Sequence, residues 1–397
     1  MVIVTAWIAL SWSSVAALLG LLLALERQLG QAPRLAASAP QGWPDTIQAM
    51  RVVIPVYNEQ ENIVSCLEAL SAALPPDAPV QVLVADDGST DMTVALAQSL
   101  CDQICGARVI SVGPRPEHER WCGKNWPASI AAAQPWAEGD PAHQWILFLD
   151  ADVRLRPGAL AAALTEASRS GSDLLSLAPR LECGCLAEWL VQPIVAALLG
   201  LGFPIRRSND PDDPTAFAAG PFMLFRRSAY DAVGGHRAVA DEVVEDLALA
   251  RRIKGQGLTL RYLLGVDWVD LRMYRSLAAL WEGWTKNWFL GLDRDLIKAA
   301  GSVAVVLLLF ALPWLTLLSA SVLFLVGAPS PALTWAGLLA VALVFGVRLW
   351  STWRFGTPLR FWWLSWLGAA LIALIVPASV WKTITGRGWT WRGRSLA

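Results

Sequence analysis

Three acidic clusters in this chain each follow an apolar run. They are Pro55-Val56-Tyr57-Asn58-Glu59, Asp86-Asp87-Gly88-Ser89-Thr90-Asp91 and Asp150-Ala151-Asp152. Carboxylates gathered together repel one another unless a cation, or a ligand rich in hydrogen-bond donors, lies among them. Singly, each cluster has a plainer explanation. An Asp-Gly-Ser-Thr string is commonly a turn running into a helix cap, with Asp91 or Ser89 accepting from first-turn amides. Asp-x-Asp alone says less still. Their succession, in order and each after an apolar stretch, is what points to a ligand site. A further pair, Glu245-Asp246, opens a helical stretch, where acids also complement the helix dipole.

Several other chemistries lack their residues. No GxGxxG follows the first apolar run, no GxxxxGK[ST] phosphate loop is present, and no GxSxG elbow is present, which disfavours dinucleotide-binding, P-loop and common hydrolase sites. The six cysteines include Cys101-x-x-x-Cys105 and Cys183-x-Cys185. That spacing suits neither zinc nor a disulfide framework, and they read as reduced thiols packed like small apolar residues. A net charge of -1 argues against a nucleic-acid partner.

The elements that must position the acids alternate. Arg51–Val56, Val80–Ala85, Ala107–Val112 and Gln144–Leu149 read as strands, while Glu59–Leu74, Asp91–Leu100, Lys124–Ala133 and Pro157–Ser170 read as helices. Strand and helix in alternation predict an α/β domain with a mostly parallel sheet, spanning residues 51–295. In such sheets ligands bind at the C-terminal strand ends, where the three clusters fall.

The flanks are of another kind. Of 397 residues, 55% are hydrophobic and 16% charged, well below the ~25% charged of soluble domains. Residues 1–25 carry no charge and are long enough to cross a bilayer. A cleaved signal peptide fits less well, for want of a basic start and a small-residue cleavage site. Residues 26–50 read as a linker. Residues 296–397 contain no Asp or Glu; three apolar runs stand out, Ala299–Val326, Leu333–Leu349 and Phe361–Val380, and basic residues lie between and after them. Many of the 22 tryptophans cluster there, as rings at a membrane interface do. The expectation is a multi-pass protein of the inner (plasma) membrane, with its α/β domain on the basic, cytoplasmic side. Three C-terminal crossings would leave the basic tail on the opposite side. Either a run re-enters near Pro377, or Ala299–Val326 is a hairpin at Pro313.

The ordered set PVYNE, VADDGSTD, FLDADV, AGPFMLFRRSAYDAVGGH and VEDLALARRIKGQG resembles the family 2 glycosyltransferases, which have a GT-A, Rossmann-like fold. The membrane flanks, Gly123-Lys124-Asn125-Trp126 and Trp391-Arg392-Gly393-Arg394 resemble a narrower group, the hopene-associated and carotenoid-acid glycosyltransferases, with the hopene-associated type favoured. The resemblance implies a nucleotide-diphosphate sugar donor, expected to be UDP-linked, and an Mg2+ or Mn2+ cofactor. Pro55, Tyr57 and Glu59 correspond to the first nucleotide-binding segment, and Asp86 and Asp87 to the acids near base and ribose. Asp150 and Asp152 match the DxD motif, with Asp152 the metal ligand. Lys124 stands where a cation would help hold the donor, though a solvated surface lysine reads equally well. Glu245-Asp246 match the ED motif, making Asp246 the general base of an inverting transfer. Gly220, Pro221 and His236 correspond to the floor near the acceptor, where His236 suits a ligand contact and a structural role equally.

The chain departs from processive members of that family, which carry Gln-x-x-Arg-Trp after the ED motif. Here the region reads Trp281-Glu282-Gly283-Trp284-Thr285-Lys286-Asn287-Trp288. Trp281, Trp284 and Trp288 share one helical face, and Trp284 joins the expected acceptor site at a membrane interface. Residues 188–204, broken by Pro193 and Gly200, read as an interfacial helix. The expected activity is transfer of a sugar to a membrane lipid, hopanoid or isoprenoid. A processive polysaccharide synthase and a catalytically silent membrane scaffold are the alternatives.

Overall fold

The computed structural model describes residues 2–36, 43–75, 78–136, 138–387, 390–391 and 394–395. The expected strands form, within a residue or two: β1 (Ala49–Val56), β2 (Val80–Asp86), β3 (Ala107–Ser111) and β4 (Gln144–Leu149). With β6 (Leu174–Ala178), β8 (Phe222–Arg226) and β9 (Leu260–Leu264) they make one seven-stranded sheet in the order β3-β2-β1-β4-β8-β6-β9. Only β8 runs against its neighbours; the other pairings are parallel. The short β5 (Val153–Leu155), β7 (Arg180–Leu181) and β10 (Val269–Leu271) form a second sheet.

β1 is central, and its alternation feeds two cores. Val52 and Ile54 face one apolar cluster with Leu67 and Leu164, while Val53 faces the other with Ala128 and Leu249. Burial on both faces is why the strand reads as a continuous apolar run. Arg51, 1% exposed, is the exception that explains itself. Its guanidinium caps the C-terminal carbonyls of helix Asn125–Ala132, donating to Ala132 O at 2.8 Å and Pro135 O at 2.6 Å. That helix is thereby fixed beside β1, with Lys124 at its N-terminus.

Among the described residues four helices are long and apolar enough to cross a membrane: Val4–Gly30, Leu296–Leu325, Pro331–Phe355 and Trp362–Thr385. A third apolar cluster joins them to the helices Leu186–Gly202 and Leu277–Gly291, through residues such as Leu18, Val191, Leu280, Val306 and Ile372. Trp353, Trp363, Trp366 and Trp381 stay exposed on the outside of this bundle, where lipid would lie. The stretch after the first helix is more than a linker, because Leu35 N donates to Leu264 O and Leu264 N to Pro33 O, both at 3.0 Å, extending the sheet beyond β9.

No chain reversal occurs at Pro313 or Pro377. The helix continues through Pro313 after a wide turn at Leu307–Ala311, and Pro377 lies inside Ser365–Thr385. The first half of the last helix meets Leu186–Gly202, where a Cβ on Gly368 would strike Leu190 O. Its second half meets Leu277–Gly291, where Ser379 Oγ accepts from Phe289 N at 3.0 Å and Lys382 donates to Thr285 at 3.0 Å. The helix therefore runs along the α/β domain, and the tail returns to it: Thr390 donates to Glu282 at 2.6 Å. Arg392 and Gly393 lie outside the described residues.

Candidate active site

The β1 and β2 ends are laced together by short polar side chains. Asn58, in the left-handed region at φ 54, donates from its backbone to Ser89 Oγ at 3.0 Å and accepts from Thr90 N at 2.8 Å. Glu59 N donates to Thr93 Oγ1 at 2.7 Å, and the buried Glu59 carboxylate accepts from Asn62 at 2.7 Å. Arg275 then holds Asn62 Oδ1 at 2.8 Å. Asp86 accepts from Gly88 N and Ser89 N at 3.2 and 3.1 Å, shaping its own turn. The turn-and-cap reading of this string holds for Asp91, whose carboxylate accepts from Thr93 N at 2.9 Å.

Asp87 is different. It pairs with Arg115 at 2.6 Å, and Arg115 also donates to Trp121 O at 2.7 Å and Gly123 O at 2.9 Å. Arg115 thus ties the acid after β2 to the loop that delivers Lys124. Sequence reading passed over Arg115; the Gly113-Pro114-Arg115-Pro116 break after β3 was the only signal.

Lys124 is the hub. Its Nζ lies 2.5 Å from Asp150 Oδ1 and 3.1 Å from Glu245 Oε1. Asn125, fully buried, donates to Val239 O and Glu242 O at 2.8 Å each, pinning the segment before Glu245 against the Lys124 loop. Burial alone would favour the neutral amine, but Asp150 and Glu245 outweigh it and hold Lys124 firmly protonated. Lys286, from helix Leu277–Gly291, stands within electrostatic reach of the same acids, and burial pushes its pKa down.

Asp246 is seated by two amides, Gly220 N to Oδ2 at 2.9 Å and Leu247 N to Oδ1 at 2.7 Å. Gly220 is required by space, since a Cβ there would stand 2.8 Å from Asp246 Oδ2. Burial, then the neighbouring Glu245 charge, push the Asp246 pKa up to about 7, against the pull of Lys124 and the two amides. For Glu245 burial acts upward too, but Lys124 and the helix N-terminus prevail and hold it below the ordinary value. The pair thus divides into a firmly ionised carboxylate and one poised near neutrality, the property a general base needs.

Gly220, Pro221, Asp246 and Trp284 line one cavity of about 320 Å³. Its other walls come from helix Leu186–Gly202, from Phe217 and Tyr262, and from Leu29, Arg348 and Phe355 on the membrane helices. It is overwhelmingly apolar, as a lipid chain requires. Trp284 faces inward, 8% exposed, with Nε1 donating to Gln192 at 2.9 Å. The tryptophan face of that helix is therefore a cavity wall and packing surface, not a membrane-surface belt. His236 stands apart from the cavity lining: 2% exposed, it is bonded to Tyr230 Oη at 2.9 Å and packed on Phe148 at 4.3 Å between ring centres. Burial lowers its pKa to about 3, so it is neutral there.

Asp150 and Asp152 sit on the turn between β4 and β5, with Asp152 O accepting from Arg272 N at 3.4 Å. Their oxygens are the donor type that Mg2+ and Mn2+ take. Among the described residues no three such side chains converge as a complete cage. Two carboxylates leave most coordination positions to a ligand's oxygens, as when Mg2+ is shared with a diphosphate, so the residues fit a metal that arrives with its ligand.

Residues 51–234 match the family described as Glycosyl transferase family 2. A 4,4'-diaponeurosporenoate glycosyltransferase of Staphylococcus aureus (strain MRSA252) is 29% identical over 248 residues, covering 60% of this chain and 60% of its own length; the same protein from strain USA300 matches equally. This relative belongs with the carotenoid-acid type of the two narrower groups, and nothing found is specifically hopene-associated. Among solved structures, the mannosyltransferase PcManGT from Pyrobaculum calidifontis, in complex with GDP-Man and Mn2+, superposes with a TM-score of 0.53 at 16% identity, over 96% of this chain and 99% of that one. The likeness is one of fold, the GT-A type.

Proposed function

We propose that this chain, which carries a family 2 glycosyltransferase domain, moves a sugar from a nucleotide-diphosphate donor to a membrane lipid with inversion at the anomeric carbon. One observation carries the reading. Asp246, poised near pH 7, stands in the wall of a 320 Å³ apolar cavity that reaches the membrane helices, and its neighbour Glu245 is joined through Lys124 to Asp150 at the donor end.

In this reading the donor lies over the ends of β1, β2 and β4. Tyr57, Glu59, Asp86 and Asp87 flank the nucleotide, with Pro55 shaping the end of β1. Asp150 and Asp152 would hold Mg2+ or Mn2+, which when bound offsets the negative charge of the departing diphosphate. Lys124 keeps Asp150 and Glu245 from repelling the donor, and Lys286 adds positive charge on the same side. The acceptor chain fills the cavity between Pro221 and Trp284. Its hydroxyl oxygen attacks the anomeric carbon, its proton passes to an Asp246 oxygen, and the bond to the diphosphate oxygen breaks with its electron pair leaving on the nucleotide. His236 serves from behind, keeping Tyr230 and Phe148 in place.

The acceptor belongs to the isoprenoid lipids in this reading, by likeness to the carotenoid-acid relative, and a hopanoid is the second choice. The domain faces the cytoplasm, supported by Arg27, Arg34, Arg354 and Arg360 at the domain end of the helices. The test is transfer of radiolabelled sugar from UDP- and GDP-sugars to separated carotenoid and hopanoid fractions, using detergent-purified protein. Product confined to one fraction names the acceptor, and Asp246→Asn should lower turnover by about 10²–10⁴-fold. Equal turnover in that variant overturns the assignment. Product growing in length would instead identify a polymerase.

A further inference from the structure

Arg348 is a charged residue of the cavity wall that sugar transfer does not use. It lies on the helix Pro331–Phe355, 7% exposed, and lines both the 320 Å³ cavity and a smaller adjoining one of about 60 Å³. Its guanidinium donates from Nη2 to Pro358 O at 3.2 Å. Among the described residues no acid pairs with it. The other charges nearby are satisfied: Arg180, also on the cavity wall, holds Asp270 at 2.7 Å, while Glu26 is taken by Arg354 and by Trp350 Nε1. A guanidinium cannot escape burial by losing its proton, and a buried cation without a counter-charge costs several kcal/mol. In an apolar, membrane-level cavity such a residue marks a ligand position.

We propose that Arg348 is an anion-recognition point of the lipid cavity, holding the carboxylate or phosphate of an amphiphile whose apolar chain extends toward Asp246. The planar fork of donors suits either oxyanion and pairs with it through two parallel hydrogen bonds. The site is distinct from the Lys124 cluster, which faces the donor side and already holds Asp150 and Glu245. It rests on the transferase reading only in taking the cavity as the acceptor's; the binding itself needs no sugar.

The probe is cis-parinaric acid, with its methyl ester as the neutral match, added to the full chain in nonionic detergent without donor. Energy transfer from Trp189 and Trp284, which line the cavity, reports binding. The acid should bind at least about tenfold more tightly than the ester. Arg348→Gln should erase that preference, Arg348→Lys should keep part of it, and Arg360→Gln, at an exposed position, should leave it whole. Equal binding of acid and ester to the unaltered protein overturns the proposal, as does a preference that survives in Arg348→Gln; the Lys variant guards against a change that merely unfolds the chain. Competition by dioleoyl phosphatidylglycerol assigns the anion to a lipid headgroup, and competition by inorganic phosphate assigns it to a free ion. Resistance to both leaves the acid of a single-chain lipid as the ligand. Because donor is absent, loss of this preference leaves the transferase reading intact, and loss of transfer in Asp246→Asn leaves parinarate binding intact.

Discussion

Gly220→Ala isolates the seating of the proposed base. Gly220 is outside the left-handed region, so alanine adds no backbone strain there. The whole effect lies in one contact: the new Cβ would stand 2.8 Å from Asp246 Oδ2, where ordinary contact begins at 3.4 Å. The carboxylate must then retreat by about 0.6 Å, the difference of those two distances. It also weakens the 2.9 Å hydrogen bond from Gly220 N. Misplacement of a reacting group by 1 Å can cost on the order of 10²-fold, and a hydrogen bond to a charged group contributes roughly 1.5–3 kcal/mol. The expected loss in kcat is about 10–100-fold, with donor KM unchanged. The assay is steady-state transfer at pH 8.5, where Asp246 is ionised in both proteins, beside a thermal melt. Since the lost amide favoured the charged carboxylate, the pH midpoint should also rise. A kcat within twofold of the unaltered protein, or a loss confined to donor KM, refutes the argument that this carboxylate does the chemistry.

Other consequences are as direct. Activity should fall as pH drops through about 7, because a base with its pKa pushed up to about 7 is protonated below it; a profile flat from pH 6 to 8 would point to another group. Lys124→Gln removes the cation that opposes that rise, so the midpoint should move upward while kcat falls. Arg115→Met takes away the 2.6 Å partner of Asp87 and should raise donor KM about tenfold with little change in kcat, read by varying the nucleotide sugar. Chelation by EDTA should abolish transfer and Mn2+ restore it, and Asp152→Ala should blunt the restoration; full activity in EDTA would exclude a metal role for that turn.

The sequence revealed most where one element carried its own signal. β1, β2 and β4 were legible because each is buried on both faces and so is continuously apolar. The four long helices among the described residues were legible because charge is sparse in them and confined mostly to their ends. β5, β7 and β10 were not, being two or three residues long and carrying Arg154, Arg180 and Asp270. Their charges read as surface, yet Asp270 draws in Arg156 at 3.0 Å and Arg180 at 2.7 Å to make a small sheet. Motif order placed Asp150, Glu245 and Asp246 together, but Lys124 became the hub only once the fold closed the 121 residues separating it from Glu245.

The cavity was harder to foresee for a related reason. Its walls come from eight stretches of chain, among them Ala178–Leu181, Phe217–Pro221, Asp246–Leu247 and Trp284–Gly291, and each reads as ordinary core. No periodicity distinguishes an apolar side chain facing an enclosed space from one facing another side chain. What does distinguish this space is its polar exceptions. Among the described residues Asp246 at one wall and Arg348 at another form no direct ion pair, although Lys124 attracts Asp246 from a distance, whereas Arg180 is paired. A packed core would have selected against both, because unpaired buried charge is costly. Their retention in one apolar chamber argues that its occupant, not the protein, completes their interactions. A bound lipid should therefore raise the melting temperature of the unaltered protein more than that of Arg348→Gln; equal shifts would mean that Arg348 serves the helix alone.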